Sequence, residues 1–352
     1  MYNMKIKIFI TVMTITLLIP IVETRAKAIS SVTSYQTISE MNLIINNNEE
    51  LNQYDHLIAP ESLSFENQEV PLYVTFKSQQ KALLKFNNTF SDELKKISEK
   101  YGLYELTKNN YINYQSAINA MIDNDLTNVD RYNQMLEFID IFENRYKNDE
   151  IISQVRLARS IRTRNKEYLK EKINSLTPSY NKNTRKTKLE RKSNLGMPNL
   201  TGAINYAKKY AEKPNTLYRY FTNGDCTNFI SQILNNGGVA QVTSNSKYSG
   251  WWYRTGSNYS HSWTVADTFS KYMGRVKYNV SWNTFRSKLV KGSFIGKDNT
   301  GDGDVNHMAF ITAISSDKKQ VQIAQHTTNY IKWSNSTGWT NIGSKGIYYL
   351  VR

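Results

Sequence analysis

A single cysteine, Cys226, stands in 352 residues, so the chain can form no internal disulfide. Histidine is scarce as well: four residues, of which His307 and His326 fall inside apolar, β-branched runs. Any imidazole chemistry has few places to reside. There are only six prolines, and Pro178, Pro198 and Pro214 stand where helical patterns stop. After residue 22 no apolar run approaches the roughly 20 residues a membrane span needs, so the mature chain is expected to have no transmembrane segment. Acidic residues thin out toward the C-terminus. The net charge of +15 is accordingly uneven, −4 over residues 29–176 but +5 over 177–198 and +11 over 199–352.

Lys5 and Lys7 precede an apolar run from Ile8 to Val22, and Ala26-Lys27-Ala28 supplies the small-x-small pattern of a processing site. Residues 1–28 therefore read as a signal peptide, and the protein as secreted or extracellular. A basic C-terminal half outside the cell points to association with an anionic wall polymer or lipid rather than with nucleic acid.

Residues 29–78 are polar and weakly patterned, a loosely structured lead-in. From Gln79 the apolar residues Ala82, Phe86, Phe90, Leu94, Ile97, Tyr101 and Tyr104 recur at steps of three and four, one face of a long helix. Similar stripes through Tyr132–Tyr146 and Ile152–Ile161 make residues 79–176 a helical hairpin or bundle. Residues 177–198 carry like charges between helix breakers and read as a basic linker. The remainder, 199–352, is long enough for a second domain.

That domain is organised around Asp225-Cys226-Thr227-Asn228-Phe229. Asn223-Gly224-Asp225 is turn chemistry, and Phe229, Ile230, Ile233 and Leu234 then keep helical spacing until Gly237-Gly238. The thiol thus sits at a helix N-terminus, where unpaired N–H groups favour thiolate. Asp225 fits a helix cap. Asn223, Asp225, Asn228 and Gln232 are candidate oxyanion or substrate-binding groups. Trp251 and Trp263, among small polar residues, are candidates to line a cleft.

His307–Ile314 and Val321–His326 read as two strands of a β-hairpin joined by the polar turn Ser315–Gln320. A turn centred between Ser316 and Asp317 sets His307 directly opposite His326, close enough for one ring to orient the other. His307 then serves as base for Cys226, with His326 or Asn329 as the third member. The run Asp298–Asp304 echoes the first half of a calcium loop, but Ala309 occupies the position of its bidentate Glu. It reads as an acidic turn favouring protonated His307, and no metal or other cofactor is expected.

The segment YAKKYAEKPNTLYRYFTNGDCTNFISQILNNGG, the Ser262-Trp263 pair and GDGDVNHMAFIT resemble the secreted bacterial family called the "putative amidase domain". The resemblance covers about residues 199–352. It implies an α+β, papain-like and NlpC/P60-related fold with a Cys helix on an antiparallel sheet, preceded here by the all-α region. It also implies Cys226 as nucleophile, His307 as base and His326 as the polar orienter. The expected function is hydrolysis of amide bonds by a cysteine amidase or peptidase, with cell-wall peptides such as peptidoglycan as substrate. A protease acting on protein, and a catalytically inactive wall-binding or adhesion module, are the alternatives.

Overall fold

The structure, a computed structural model, describes residues 35–160, 166–179 and 197–351. The expected signal peptide and residues 180–196 of the expected linker lie outside the described residues. Helix α1 (Tyr35–Asn47) and the short strands β1 (Leu57–Ile58), β2 (Leu63–Phe65), β3 (Gln68–Val70) and β4 (Thr75–Phe76) occupy the stretch read as a loose lead-in. It is ordered because its sparse apolar residues, among them Met41, Ile44, Leu51, Tyr54 and Phe76, join one buried cluster with the helices that follow.

Ser78, whose hydroxyl accepts a hydrogen bond from the Lys81 N–H, caps α2 (Gln79–Thr89). The expected single long helix breaks at Phe90 (φ −111°, ψ 26°), and α3 (Ser91–Tyr101) resumes after it. Ala82, Phe86, Phe90, Leu94 and Ile97 still share the core, so the helical spacing was meaningful across the break. Gly102, in the left-handed region at φ 69°, ends α3 and leaves Tyr104 79% exposed. Then come α4 (Tyr111–Asn124), the 32-residue α5 (Val129–Ser160) and α6 (Lys166–Leu176). Helix α5 is central: every residue from Met135 to Asn144 is buried, including the polar Glu137, Asp140, Glu143 and Asn144.

In the C-terminal half, α7 (Leu200–Tyr210) and α8 (Cys226–Asn236) precede a small hairpin, β5 (Tyr253–Thr255) and β6 (Asn258–Tyr259). Helices α9 (His261–Thr264) and α10 (Ala266–Met273), strand β7 (Arg275–Tyr278) and helix α11 (Trp282–Arg286) follow. The chain closes with β8 (Phe294–Asp298), β9 (His307–Ile314), β10 (Val321–Gln325), β11 (Tyr330–Trp333) and β12 (Ile347–Val351). These strands make one antiparallel sheet in the order β11-β10-β9-β8-β12-β7.

Alternation along the strands divides two apolar layers. Met308, Phe310, Phe294 and Tyr349 pack beneath α7, α8 and α10, whereas Ala309, Ile311, Ile295 and Tyr348 face α11 and Trp339. The fold is therefore mixed α+β, a helical N-terminal region followed by a helix-covered sheet.

A polar seam joins the two halves within one compact unit spanning Ser31–Arg352. Asp140 accepts from the Thr300 hydroxyl (2.6 Å) and the Asn306 amide (2.8 Å), and Asn144 donates to Asp302 (2.9 Å). Asn133 donates to Asn341 O (3.1 Å), and Lys147 bridges Glu143 and Asp304. Buried polar groups cost free energy unless paired, so these pairs fix how α5 seats on the loop before β9. No helix among the described residues is long and apolar enough to cross a membrane.

Candidate active site

Helix α8 begins at Cys226, as the turn and the apolar spacing predicted. The residue is 6% exposed, and its sulfur lies 3.6 Å from Thr227 Oγ1. Burial pushes the thiol above its ordinary range. Hydrogen bonds from Thr227 and from the Met308 backbone pull it back, and the neighbouring Asp225 adds to the rise. Burial prevails, so the resting group is a thiol. Cys226 packs with Met308 beneath α8, whereas the ring of His307, one residue earlier on β9, lies on Trp339, and the thiol and imidazole share no hydrogen bond among the described residues.

His307, 4% exposed, opens β9. Burial and the nearby Lys297 ammonium push its ring down to about 3, so it is neutral at physiological pH. The expected acidic turn does not charge it, because the carboxylates of that turn face α5 and Lys147 instead. Its Nε2 meets Gln325 Oε1 at 3.1 Å, the only hydrogen bond to this ring among the described residues. Since a carboxamide oxygen only accepts, Nε2 carries the proton and Nδ1 keeps its lone pair. Trp339 Nε1–H donates to the same Gln325 oxygen (2.7 Å), and the indole lies over the imidazole with centroids 5.6 Å apart. The ring thus shields the His307–Gln325 pair from water.

The expected pairing of His307 with His326 does not occur. Ile314 pairs with Val321, one residue later than the predicted turn centre, with Lys318 at φ 57° in the turn. An irregularity between Gln322 and Ile323 then shifts the register again, so Phe310 faces Ala324. Gln325, not His326, turns toward His307. His326 instead holds Asp225 Oδ2 (Nδ1, 2.5 Å) and Tyr210 O (Nε2, 2.8 Å) and stacks on Phe229 with centroids 3.8 Å apart. Asn329, the other candidate, accepts from the Tyr220 hydroxyl at 3.2 Å.

The remaining candidates are mostly structural. Asp225 makes no helix-cap hydrogen bond; besides His326 it accepts from Phe221 N–H (3.0 Å) and the Asn228 amide (2.9 Å), which fixes the turn that presents Cys226. Asn228 is closed off by Arg219 O and Trp263 Nε1, and Gln232 by the Tyr206 hydroxyl. Trp251 and Trp263 stack on each other in the core, 4.9 Å between centroids, rather than lining a cleft. Asn223 is exposed in the turn three residues before the thiol.

Lys297 and two residues of α4 were not foreseen. Lys297, paired with His307 across β8 and β9, lies over Trp339 and is held by Asn119 Oδ1 at 2.7 Å. Burial lowers its ammonium to about 8, while Asp123 and Cys226 favour its charge. Asp123 accepts from Thr328 (2.9 Å), Gly338 N–H (3.0 Å), Gln325 (3.3 Å) and Tyr330 (3.4 Å). It therefore braces the glutamine that braces the histidine. In the sequence the spacing of Asn119 and Asp123 marks only the polar edge of a helix.

Residues 198–350 match the family described as "Putative amidase domain". The chain is 34% identical over 146 residues to Uncharacterized protein YhbB of Bacillus subtilis, covering 40% of this chain and 46% of that protein. It is 29% identical over 137 residues to Uncharacterized protein YjcM of the same organism, covering 36% of this chain and 30% of that protein. The chain thus spans less than half the length of either relative it matches. No solved structure matches it.

Proposed function

We propose that this protein is an exported cysteine hydrolase that cleaves amide bonds in bacterial cell-wall peptides, with Cys226 as nucleophile, His307 as base and Gln325 as its orienter. The observation that carries this reading is the hydrogen bond from His307 Nε2–H to Gln325, which leaves Nδ1 as the basic nitrogen, together with the packing of α8, which begins at Cys226, on β9, which begins at His307. The match of residues 198–350 to an amidase family supports the bond type. The signal-like residues 1–28 and the basic C-terminal half support the setting. On this reading the arrangement of α8 on β9 is papain-like and NlpC/P60-related.

In the reaction, His307 Nδ1 takes the thiol proton as the sulfur attacks the amide carbonyl. Starting from a neutral pair suits a buried site, because charge develops only as the bond forms. The Cys226 backbone N–H at the start of α8 is aimed to stabilise the oxyanion, with the exposed Asn223 as the available side-chain donor. The imidazolium then protonates the leaving amine, a thioester remains, and water attacks it with His307 again as base. Atoms balance at each step: the amine leaves with the thiol proton and the acid with the hydroxyl of water.

The test is mass spectrometry of muropeptides after digestion of purified peptidoglycan. Wild-type protein should release new amino groups at one bond; Cys226→Ala and His307→Ala should release none. Gln325→Ala should lower kcat on the order of a hundredfold with little change in KM, since it acts on the base and not on binding. Intact muropeptides alongside cleaved protein substrate would replace the wall by a polypeptide as substrate. Turnover unaffected by Cys226→Ala would refute the mechanism.

A further inference from the structure

At the end of β9 remote from His307 the chain gathers positive charge. Residues 286–291, 315–320 and 330–333 carry six cations, Arg286, Lys288, Lys291, Lys318, Lys319 and Lys332, against the single acid Asp317. Their net +5 is nearly half of the +11 of residues 199–352. The fold brings the three stretches together. Arg286, at the end of α11, donates from its guanidinium to the Lys318 carbonyl in the β9–β10 turn. The Gly292 N–H donates to Ile311 O (2.8 Å), Ile311 pairs with Ile323, and Ile323 pairs with Lys332. Lys291 and Lys332 therefore stand at the two ends of one row across the sheet, about 14 Å long at the usual strand spacing. Because Ile311 and Ile323 face α11, Lys332 opposite Ile323 emerges on the face that carries Arg286.

Like charges this close repel, and a surface ordinarily intersperses the two signs. The helical half does so: Arg131 pairs with Glu93, Arg145 with Asp149 and Lys172 with Glu150. At the sheet pole none of the six cations forms an ion pair among the described residues. Asp317 is spent within its own turn, accepting from Ser315 Oγ (2.6 Å) and the Lys319 N–H (2.9 Å). The repulsion is thus left for something outside the chain to relieve. An anchored guanidinium among ammonium groups suits phosphate, to which Arg offers a planar fork and Lys a point charge. Charges spread along a strip, rather than converging on one point, suit a chain of phosphates rather than a single ion.

We propose that this pole binds a phosphodiester-linked polymer of the bacterial cell surface. The claim rests on the exported setting proposed above and is independent of the catalytic assignment. Composition alone leaves wall polymer and lipid equal; the strip places the charge and selects the polymer. Strand β9 has eight residues, which sets the pole about 23 Å from His307. A polymer held there tethers the protein and leaves the Cys226 end of the sheet free to act.

The test uses the full chain carrying Cys226→Ala, so that walls stay intact and lost turnover cannot pass for lost binding. This protein should sediment with purified walls that keep their phosphate polymer, stay in solution with walls stripped of it, and be released by added salt. Lys288→Gln, Lys291→Gln, Lys318→Gln and Lys319→Gln together should weaken sedimentation at least tenfold. Removing as many charges from the helical half, by Lys95→Gln, Lys96→Gln, Lys100→Gln and Lys108→Gln, should change it less than twofold. All eight positions are exposed, so both variants should keep the wild-type Tm. Equal weakening by the two sets would mean that overall charge binds and not this pole, which overturns the assignment, as does undiminished binding to stripped walls. Tighter binding to phosphatidylglycerol vesicles than to polymer-bearing walls would assign the pole to a membrane and refute it as well. Muropeptide release, measured with Cys226 intact, tests the hydrolase separately.

Discussion

At Cys226 the helix end and the surroundings act in opposite directions: the Met308 and Thr227 hydrogen bonds favour thiolate, desolvation favours thiol, and desolvation is the larger. Iodoacetamide should therefore alkylate Cys226 slowly at pH 7, with a rate that climbs only as pH rises through and beyond the ordinary thiol range near 9. Mass spectrometry of the labelled peptide against pH checks this; fast labelling at neutral pH contradicts it. Lys297 acts on the other partner. Its ammonium disfavours a second positive charge on His307, so Lys297→Met should raise the His307 pKa from about 3, moving the acid limb of kcat/KM to higher pH. An imidazole titration by NMR reads the same shift directly. An unmoved or lowered value would mean that Lys297 does not face the ring.

Among the elements, helix α4 is the one whose role is least visible in its own residues. Ile122 and Asp123 press on the turn after β11, where a Cβ on Gly338 would lie 2.2 Å from Ile122 Cγ2. Gly338→Ala should cost about 1–3 kcal/mol of stability, the usual range for overpacking, and should disturb Gln325 through Asp123. Urea denaturation gives the first and the kcat of the folded variant the second. The limits of α8 and β9 were legible, because helical spacing from Phe229 to Leu234 and the β-branched run after His307 are local signals. The partner of His307 was not, since a turn displaced by one residue and an irregularity at Gln322–Ile323 decide whether Gln325 or His326 faces it. The Trp251 and Trp263 placements failed for a related reason: an aromatic residue among serines and glycines looks the same in a cleft or a core until its N–H partner is known. The polar face of α5, with Asn133, Glu137, Asp140, Asn144 and Asn148 at steps of three and four, carries no sequence signal of what it meets. It is buried because the C-terminal half covers it.

Taken whole, the molecule has its candidate catalytic groups in residues 199–352 but part of their support in residues 35–179. Asn119, Asp123, Asp140 and Asn144 all satisfy polar groups of the sheet half that would otherwise be bare. Residues 197–352 produced alone should consequently lack cooperative unfolding, each stranded polar group costing about 1–3 kcal/mol against a total stability of only about 5–15 kcal/mol. Near-ultraviolet circular dichroism during a thermal scan tests this, and a sharp native-like transition from the fragment would contradict it.

The carboxylate of Asp123 has a bearing on descent as well as on chemistry. Because one acid from the leading half receives hydrogen bonds from Gln325, Thr328, Tyr330 and Gly338 in the trailing half, a change in α4 reaches the residues around His307. A gene fusion that kept the thiol and imidazole but replaced α4 would inherit the reactive atoms without their scaffold.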